Sequence, residues 1–220
     1  TRSWYQEQGI TGAIPIRGPV AANTVAGTIS GWGAAFELSK KSLGGKLPLS
    51  RLLEDAIHYA ENGVPVTHSQ SALTEKKRVE LTPQPGFSET FLVKGKSPET
   101  GSVFYQKRLA NTLRQIAKKG TNDYYRGELA ELIAKELKQL GSPLRLDDLQ
   151  RHHAKLINPL HLAHSLADVY NMTPPTQGVV SLMILGILDQ LKLKQFAVDS
   201  PEYVHHCVEA TKQAFKIRDQ

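Results

Sequence analysis

His161, His164 and Asp168 are the residues of this chain whose types and spacing come nearest to a metal site. At positions i, i+3 and i+7 of a helix, two imidazoles and a carboxylate would converge on one cation. On strands the same spacing fails, because side chains alternate and His161 and His164 then face opposite ways. Pro159 ahead and Tyr170-Asn171 behind suit strands better, so no metal is expected. The adjacent pairs His152-His153 and His205-His206 diverge by about 100° on a helix, and neither pair can chelate alone.

Two nucleophiles come next. Cys207 falls on the apolar side of a helical stretch with no acid or base in reach, and reads as a small buried hydrophobe rather than a reactive thiol. Thr1 is more suggestive, since a terminal threonine can use its own α-amine as general base for its hydroxyl. The polar run Arg2-Ser3-Trp4-Tyr5-Gln6-Glu7-Gln8-Gly9 behind it resembles no core strand that would hold such a nucleophile, so Thr1 is read as the point where the chain begins. Gly27-Thr28-Ile29-Ser30-Gly31 lacks both the Walker lysine and the dinucleotide glycine spacing, and no serine-centred elbow is present. No catalytic residue is expected in this chain.

The elements that must carry these residues are mostly helical. Up to about residue 30, glycines and prolines break short apolar pieces, which predicts loop and short strand. From Gly31, Trp32, Ala35 and Phe36 fall at helical intervals, ending near Leu43 before Gly44-Gly45. Ser50 then stands as an N-cap residue before the stripe Leu52, Leu53, Ala56, Ile57 and Ala60, with Gly63 and Pro65 as the stop. His68 to Gly101 reads as a surface excursion, partly helical at first.

Lys107 to Lys119 predicts an amphipathic helix with Leu109, Leu113, Ile116 and Ala117 inward. Glu128 to Leu140 predicts another, with Leu129, Leu132, Ile133, Leu137 and Leu140 inward and Gly141 as cap. Asp147 to His153 suits a short helix, and Leu156 to Tyr170 is ambiguous on periodicity alone. Val179 to Leu188 has almost no polar face, which predicts a central helix buried on all sides. Ser200-Pro201-Glu202 opens the last helix as cap, first-turn proline and dipole-matched acid.

With 220 residues, 40% hydrophobic and 22% charged, the chain has the composition of an ordinary globular protein, which excludes disorder, collagen and coiled coil. Val179 to Leu188 is about half of the roughly 20 apolar residues that a spanning helix needs, so no membrane segment is expected. One cysteine allows no internal disulfide, and it fits a cytoplasm, the first choice of compartment, as well as a periplasm. The 27 Lys and Arg against 21 Asp and Glu are scattered rather than gathered into a stripe, so nucleic acid is not an expected partner. The opening Thr1-Arg2-Ser3, with neither Met nor apolar leader, suggests a processed or partial chain.

Several blocks in order are similar to the large subunit of the γ-glutamyltransferase family, a branch of the N-terminal nucleophile hydrolases. They are Ala21-Ala22-Asn23-Thr24-Val25-Ala26-Gly27-Thr28-Ile29-Ser30-Gly31-Trp32; Gly45-Lys46-Leu47-Pro48 with the helix ending Ala60-Glu61-Asn62-Gly63-Val64-Pro65-Val66; and Leu109-Ala110-Asn111-Thr112-Leu113. Further along come Asp123-Tyr124-Tyr125-Arg126-Gly127-Glu128-Leu129-Ala130, Leu146-Asp147-Asp148-Leu149, and Tyr170-Asn171-Met172-Thr173-Pro174-Pro175-Thr176-Gln177-Gly178-Val179 leading into Ile184-Leu185-Gly186-Ile187-Leu188. Ala26 stands where the family has proline, and Thr173, Thr176, Gln177 and Val179 replace a proline, two serines and the second glycine. The wording around Ala21 to Trp32 resembles most the oxamate amidohydrolase branch.

The resemblance implies an α+β fold, the helix-rich large-subunit part of an αββα sandwich, with residues 1–220 as one domain completed by a small subunit from the same precursor. It implies strands from Pro159 to Met172, which agrees with the doubt about the histidine cluster. It implies a precursor that cuts itself once and frees a threonine whose α-amine activates its own hydroxyl against an amide. In the family that threonine and the oxyanion hole belong to the small subunit, and the carboxylate-binding arginine lies upstream of the region that begins here. The expected substrate is a small acidic amide, oxamate giving oxalate and ammonia, with a γ-glutamyl compound as the alternative and a non-catalytic helical scaffold as the reading from another class. No cofactor is expected, and a dimer of two-chain units is an open option. Thr176, Gln177 and Gly178 are the expected substrate-binding residues, because a polar turn at the mouth of a buried helix offers backbone and side-chain donors; shaping the turn is their alternative role.

Overall fold

The computed structural model describes residues 2–219, so Thr1 lies outside the described residues. The fold is α+β and helix-rich, with two short two-stranded sheets among the described residues. The chain divides into two compact units, Thr1–Lys155 and Leu156–Gln220. The sequence reading drew one domain across both.

In the first unit, α1 spans Arg2–Glu7, α2 Thr28–Ser42, α3 Leu49–Asn62, β1 Val64–Pro65, α4 His68–Leu81 and α5 Phe87–Phe91. β2 at Val103–Phe104 follows, then α6 Lys107–Lys119, α7 Asp123–Arg126, α8 Glu128–Gln139 and α9 Leu146–Arg151. The core lies where α3 meets α6: Leu53, Leu113, Ile116 and Leu129 are buried together, and Ile29, Leu49, Ile57 and Ile133 pack around them. Ala110, fully buried, and Ala60 keep the two backbones close. β1 and β2 pair antiparallel, Val64 opposite Phe104, and Gln106 N–H donates to Ala60 O at 2.8 Å, which ties the end of α3 to the start of α6. The left-handed Gly63 makes this possible, since a Cβ there would stand 2.3 Å from Val103 Cγ1.

Two expectations change here. The leading residues contain the helix α1 and a 3₁₀ turn at Pro19–Ala21 rather than a strand, because Tyr5 is buried and its hydroxyl donates to Val20 O at 2.9 Å. Leu109, Leu132 and Leu140, expected inward, are exposed, while Ala110, Ala130 and Ala134 are buried. The covered stripe sets these small residues, which allow close helix packing, beside the buried Leu113, Ile116 and Leu129.

The polar excursion after His68 contains a full helix. Thr67 Oγ1 accepts Gln70 N–H to cap α4, and its outer face is laced by ion pairs. The bidentate Arg78 and the Ser97 hydroxyl hold the Glu75 carboxyl down at about 2.

The second unit is a hairpin and two helices: β3 Leu160–His164, β4 Ala167–Asn171, α10 Gly178–Gln190 and α11 Pro201–Arg218. β3 and β4 pair with Leu160 opposite Asn171 and His164 opposite Ala167. The hairpin and α11 both pack on α10. α10 is therefore covered on two sides and not all round: Val180 and Leu182 are buried, but Ser181 and Leu185 are exposed. Ser200 caps α11 as expected, its Oγ accepting Tyr203 N–H at 3.2 Å. No described helix is long and apolar enough to cross a membrane.

Candidate functional site

Thr176, Gln177 and Gly178 form one knuckle between β4 and α10. After Asn171 the chain turns through Met172-Thr173 and a cis Pro174-Pro175 bond into the helix. The Thr176 hydroxyl donates toward Thr173 O at 3.0 Å and accepts Gly178 N–H at 3.2 Å, so it substitutes for a missing helical partner at the start of α10. Gly178 is buried with its α-carbon facing the end of β4, where a Cβ would lie 2.3 Å from Met172 O and 2.7 Å from Asn171 Oδ1. Gln177 is exposed, and among the described residues its side-chain amide has no hydrogen-bond partner. The three residues thus differ in what they can do. Thr176 and Gly178 are committed to the turn, and Gln177 keeps two donors and an acceptor beside the positive end of a helix dipole.

The hairpin places the histidines apart. His161 stands on the exposed face, stacked on Tyr170 at 4.7 Å between ring centroids, with Nε2 2.6 Å from Asp168 Oδ1. His164 points the other way, toward α10, with Nε2 3.5 Å from Asp189 Oδ1, and its Nδ1 accepts Leu166 N–H. The alternation of an extended chain separates the two rings, and no cluster of three or more His, Cys, Asp or Glu fit for a metal occurs among the described residues.

Asp189 is the anchor that spacing arguments missed. Its carboxylate accepts both the Ser165 hydroxyl and the Ser165 N–H, the latter at 3.0 Å, which pins the β3–β4 turn onto α10. Those two donors, the hydroxyl first, hold its pKa below the ordinary carboxylate value, with His164 and Lys194 adding to the effect.

The remaining candidates have structural partners. His206 Nδ1 donates to Glu202 O at 2.7 Å, its ring stacks on Phe196, and His152 stacks on Tyr125. His153 Nδ1 lies 3.1 Å from Arg151 O, and Cys207 is half-buried with its thiol free.

Tyr125 is the second residue that periodicity overlooked. Buried at 2% exposure, its hydroxyl donates to Ala26 O at 2.7 Å and accepts Ser30 N–H at 2.9 Å, so α7 grips the first turn of α2. Burial raises its phenol pKa, and that of Tyr124. Asp123 beside it accepts Glu128 N–H and the Gln115 amide. The only early signal was that Asp123-Tyr124-Tyr125 forms part of a block shared with a known family.

The family model described as Gamma-glutamyltranspeptidase matches residues 1–220. The oxamate amidohydrolase proenzyme of Klebsiella pneumoniae subsp. pneumoniae is 53% identical over 206 residues, covering 94% of this chain and 39% of that protein. The glutathione hydrolase-like YwrD proenzyme of Bacillus subtilis is 37% identical over 219 residues, covering 100% of this chain and 40% of that one. This chain thus spans about two fifths of these relatives. Among solved structures, the Helicobacter pylori gamma-glutamyltranspeptidase superposes with a TM-score of 0.86 at 28% identity, covering 100% of this chain and 62% of that one. The chain belongs to the gamma-glutamyltranspeptidase family.

Proposed function

We propose that these 220 residues are the central part of the large subunit of a self-cleaving threonine-nucleophile amidohydrolase, and that its substrate is oxamate. The observation that carries this reading is the 53% identity, over nearly the whole chain, to a protein named an oxamate amidohydrolase proenzyme. The word proenzyme in that name supports a precursor that is cut once, into this large subunit and a small one. Together they form one catalytic domain.

In this reading the small subunit begins with the nucleophilic threonine. Its hydroxyl attacks the amide carbon of oxamate while its α-amine takes the proton; the C–N bond then breaks and ammonia leaves with that proton. Water adds to the resulting ester, which releases oxalate and restores the hydroxyl. Thr176, Gln177 and Gly178 form part of the substrate wall. Gln177 is the member with free donors, suited to a small carboxylate, while the other two hold it in place.

A γ-glutamyl substrate is the second reading, favoured by the 37% identity to a glutathione hydrolase-like proenzyme. The test uses the whole precursor. Intact-mass analysis is expected to find two fragments, the smaller beginning with threonine, and ammonia release is expected from oxamate. Turnover of a γ-glutamyl anilide alone would select the second reading. A single uncut chain inert toward both compounds would leave a non-catalytic scaffold.

A further inference from the structure

The first unit carries an apolar cavity of about 440 Å³ between α2 and α3, outside the candidate site. Its walls are apolar side chains, among them Trp32, Phe36, Leu47 and Leu52. The loop after α2 forms its rim. Gly44 turns the chain with a φ of 70°, and Gly45 comes so near the helix that a Cβ would meet Ser39 Oγ at 2.3 Å. This close approach lays Lys46 and Leu47 along the opening.

The charges at the cavity have one sign. Lys40 and Lys46 line it, and no Asp or Glu does. Lys40 Nζ stands 5.1 Å from the centroid of the Phe36 ring, and among the described residues neither ammonium has a carboxylate partner. Arg17 and Lys77 pair with Glu80, Arg78 with Glu75, and Arg51 with Glu54 and Asp55, all away from the cavity lining. An apolar slot with unpaired ammonium groups at its rim is complementary to a molecule with one long apolar part and one anionic end.

We propose that this cavity binds a medium-chain fatty carboxylate, its alkyl chain lying against Trp32, Phe36 and Leu52 and its carboxylate held by Lys40 and Lys46. A volume of this size accommodates roughly eight to twelve carbons. Each ammonium is a point charge on a flexible stem and can turn toward a carboxylate at the water boundary.

The test is calorimetric titration of the whole purified protein, both subunits if it is cleaved, with decanoate, decanol and decyltrimethylammonium. Saturable binding of one decanoate per large subunit is expected, with decanol about tenfold weaker and the cation not bound. Lys40→Gln with Lys46→Gln should weaken decanoate about tenfold and leave decanol unchanged. Octanoate should bind about 15-fold more weakly than decanoate, from roughly fourfold per methylene. Absence of saturable decanoate binding by the whole protein would overturn the proposal. So would equal affinity for acid and alcohol, or an affinity indifferent to the lysine substitutions. Circular dichroism of the double variant separates lost binding from lost fold, since both lysines are exposed and their replacement should leave the melting temperature unchanged.

Discussion

Gly178 shows how much a single hydrogen can decide. Its α-carbon faces Met172 O so closely that alanine would force β4 and α10 apart. Gly178→Ala is therefore expected to destabilise the whole protein by about 1–3 kcal/mol, read from the urea midpoint. Tyr125→Phe should cost about 1–3 kcal/mol as well, because it leaves Ala26 O and Ser30 N–H without their buried partner. Gln177→Ala should behave differently: exposed and unbonded, it should leave stability within about 0.5 kcal/mol of the parent, while raising KM for the acidic amide if the wall reading holds. In the sequence Thr176, Gln177 and Gly178 looked alike, a polar turn at a helix mouth. Their separation into one free amide and two structural members came from contacts across the turn that no spacing shows. Tyr125 was similarly silent, since its partners lie about a hundred residues away.

Caps and stops were the most legible features of the elements. Ser200 accepts a backbone N–H at the start of α11, and Gly120 and Gly141 close α6 and α8 with positive φ; Ser50, read as the cap of α3, instead lies inside that helix behind Pro48, and the Thr67 cap of α4 went unread. Ser200→Ala should lower stability by about 1 kcal/mol and speed hydrogen exchange in the first turn of α11. The hairpin makes a pH prediction. Asp189 has a folded pKa below its unfolded value, so its contribution is fully present above the ordinary carboxylate range, near 3.9, and is lost as pH falls through the folded value. Ser165→Ala removes the largest cause of that depression. Unfolding curves from pH 6 to pH 2 should then show a shallower acid loss in the variant than in the parent. What the pattern misread was the edge of each helix face: Leu109, Leu132 and Leu140 were assigned inward, whereas the packed stripe combines Leu113, Ile116 and Leu129 with Ala110, Ala130 and Ala134.

For the molecule as a whole, large apolar side chains stand in water, Ile16 and Val79 at more than 80% exposure and Leu156 at 76%. If the chain is part of a larger subunit, residues 1–220 expressed alone should bind a hydrophobic dye strongly and self-associate at micromolar concentration. The whole precursor should do neither; equal dye binding by both would count against the large-subunit reading. The sequence by itself determined where most helices start and stop, that no Cys-rich or phosphate-loop chemistry is encoded, and, through ordered blocks, which family the chain belongs to. Those properties are written in residues a few positions apart, within reach of one turn or one cap. Tertiary structure alone decided which face of each helix is covered, that α10 is covered on two sides rather than all round, and that Asp189 and Tyr125 are anchors. Such properties depend on atoms brought together from distant positions, and a pattern along the chain does not contain them.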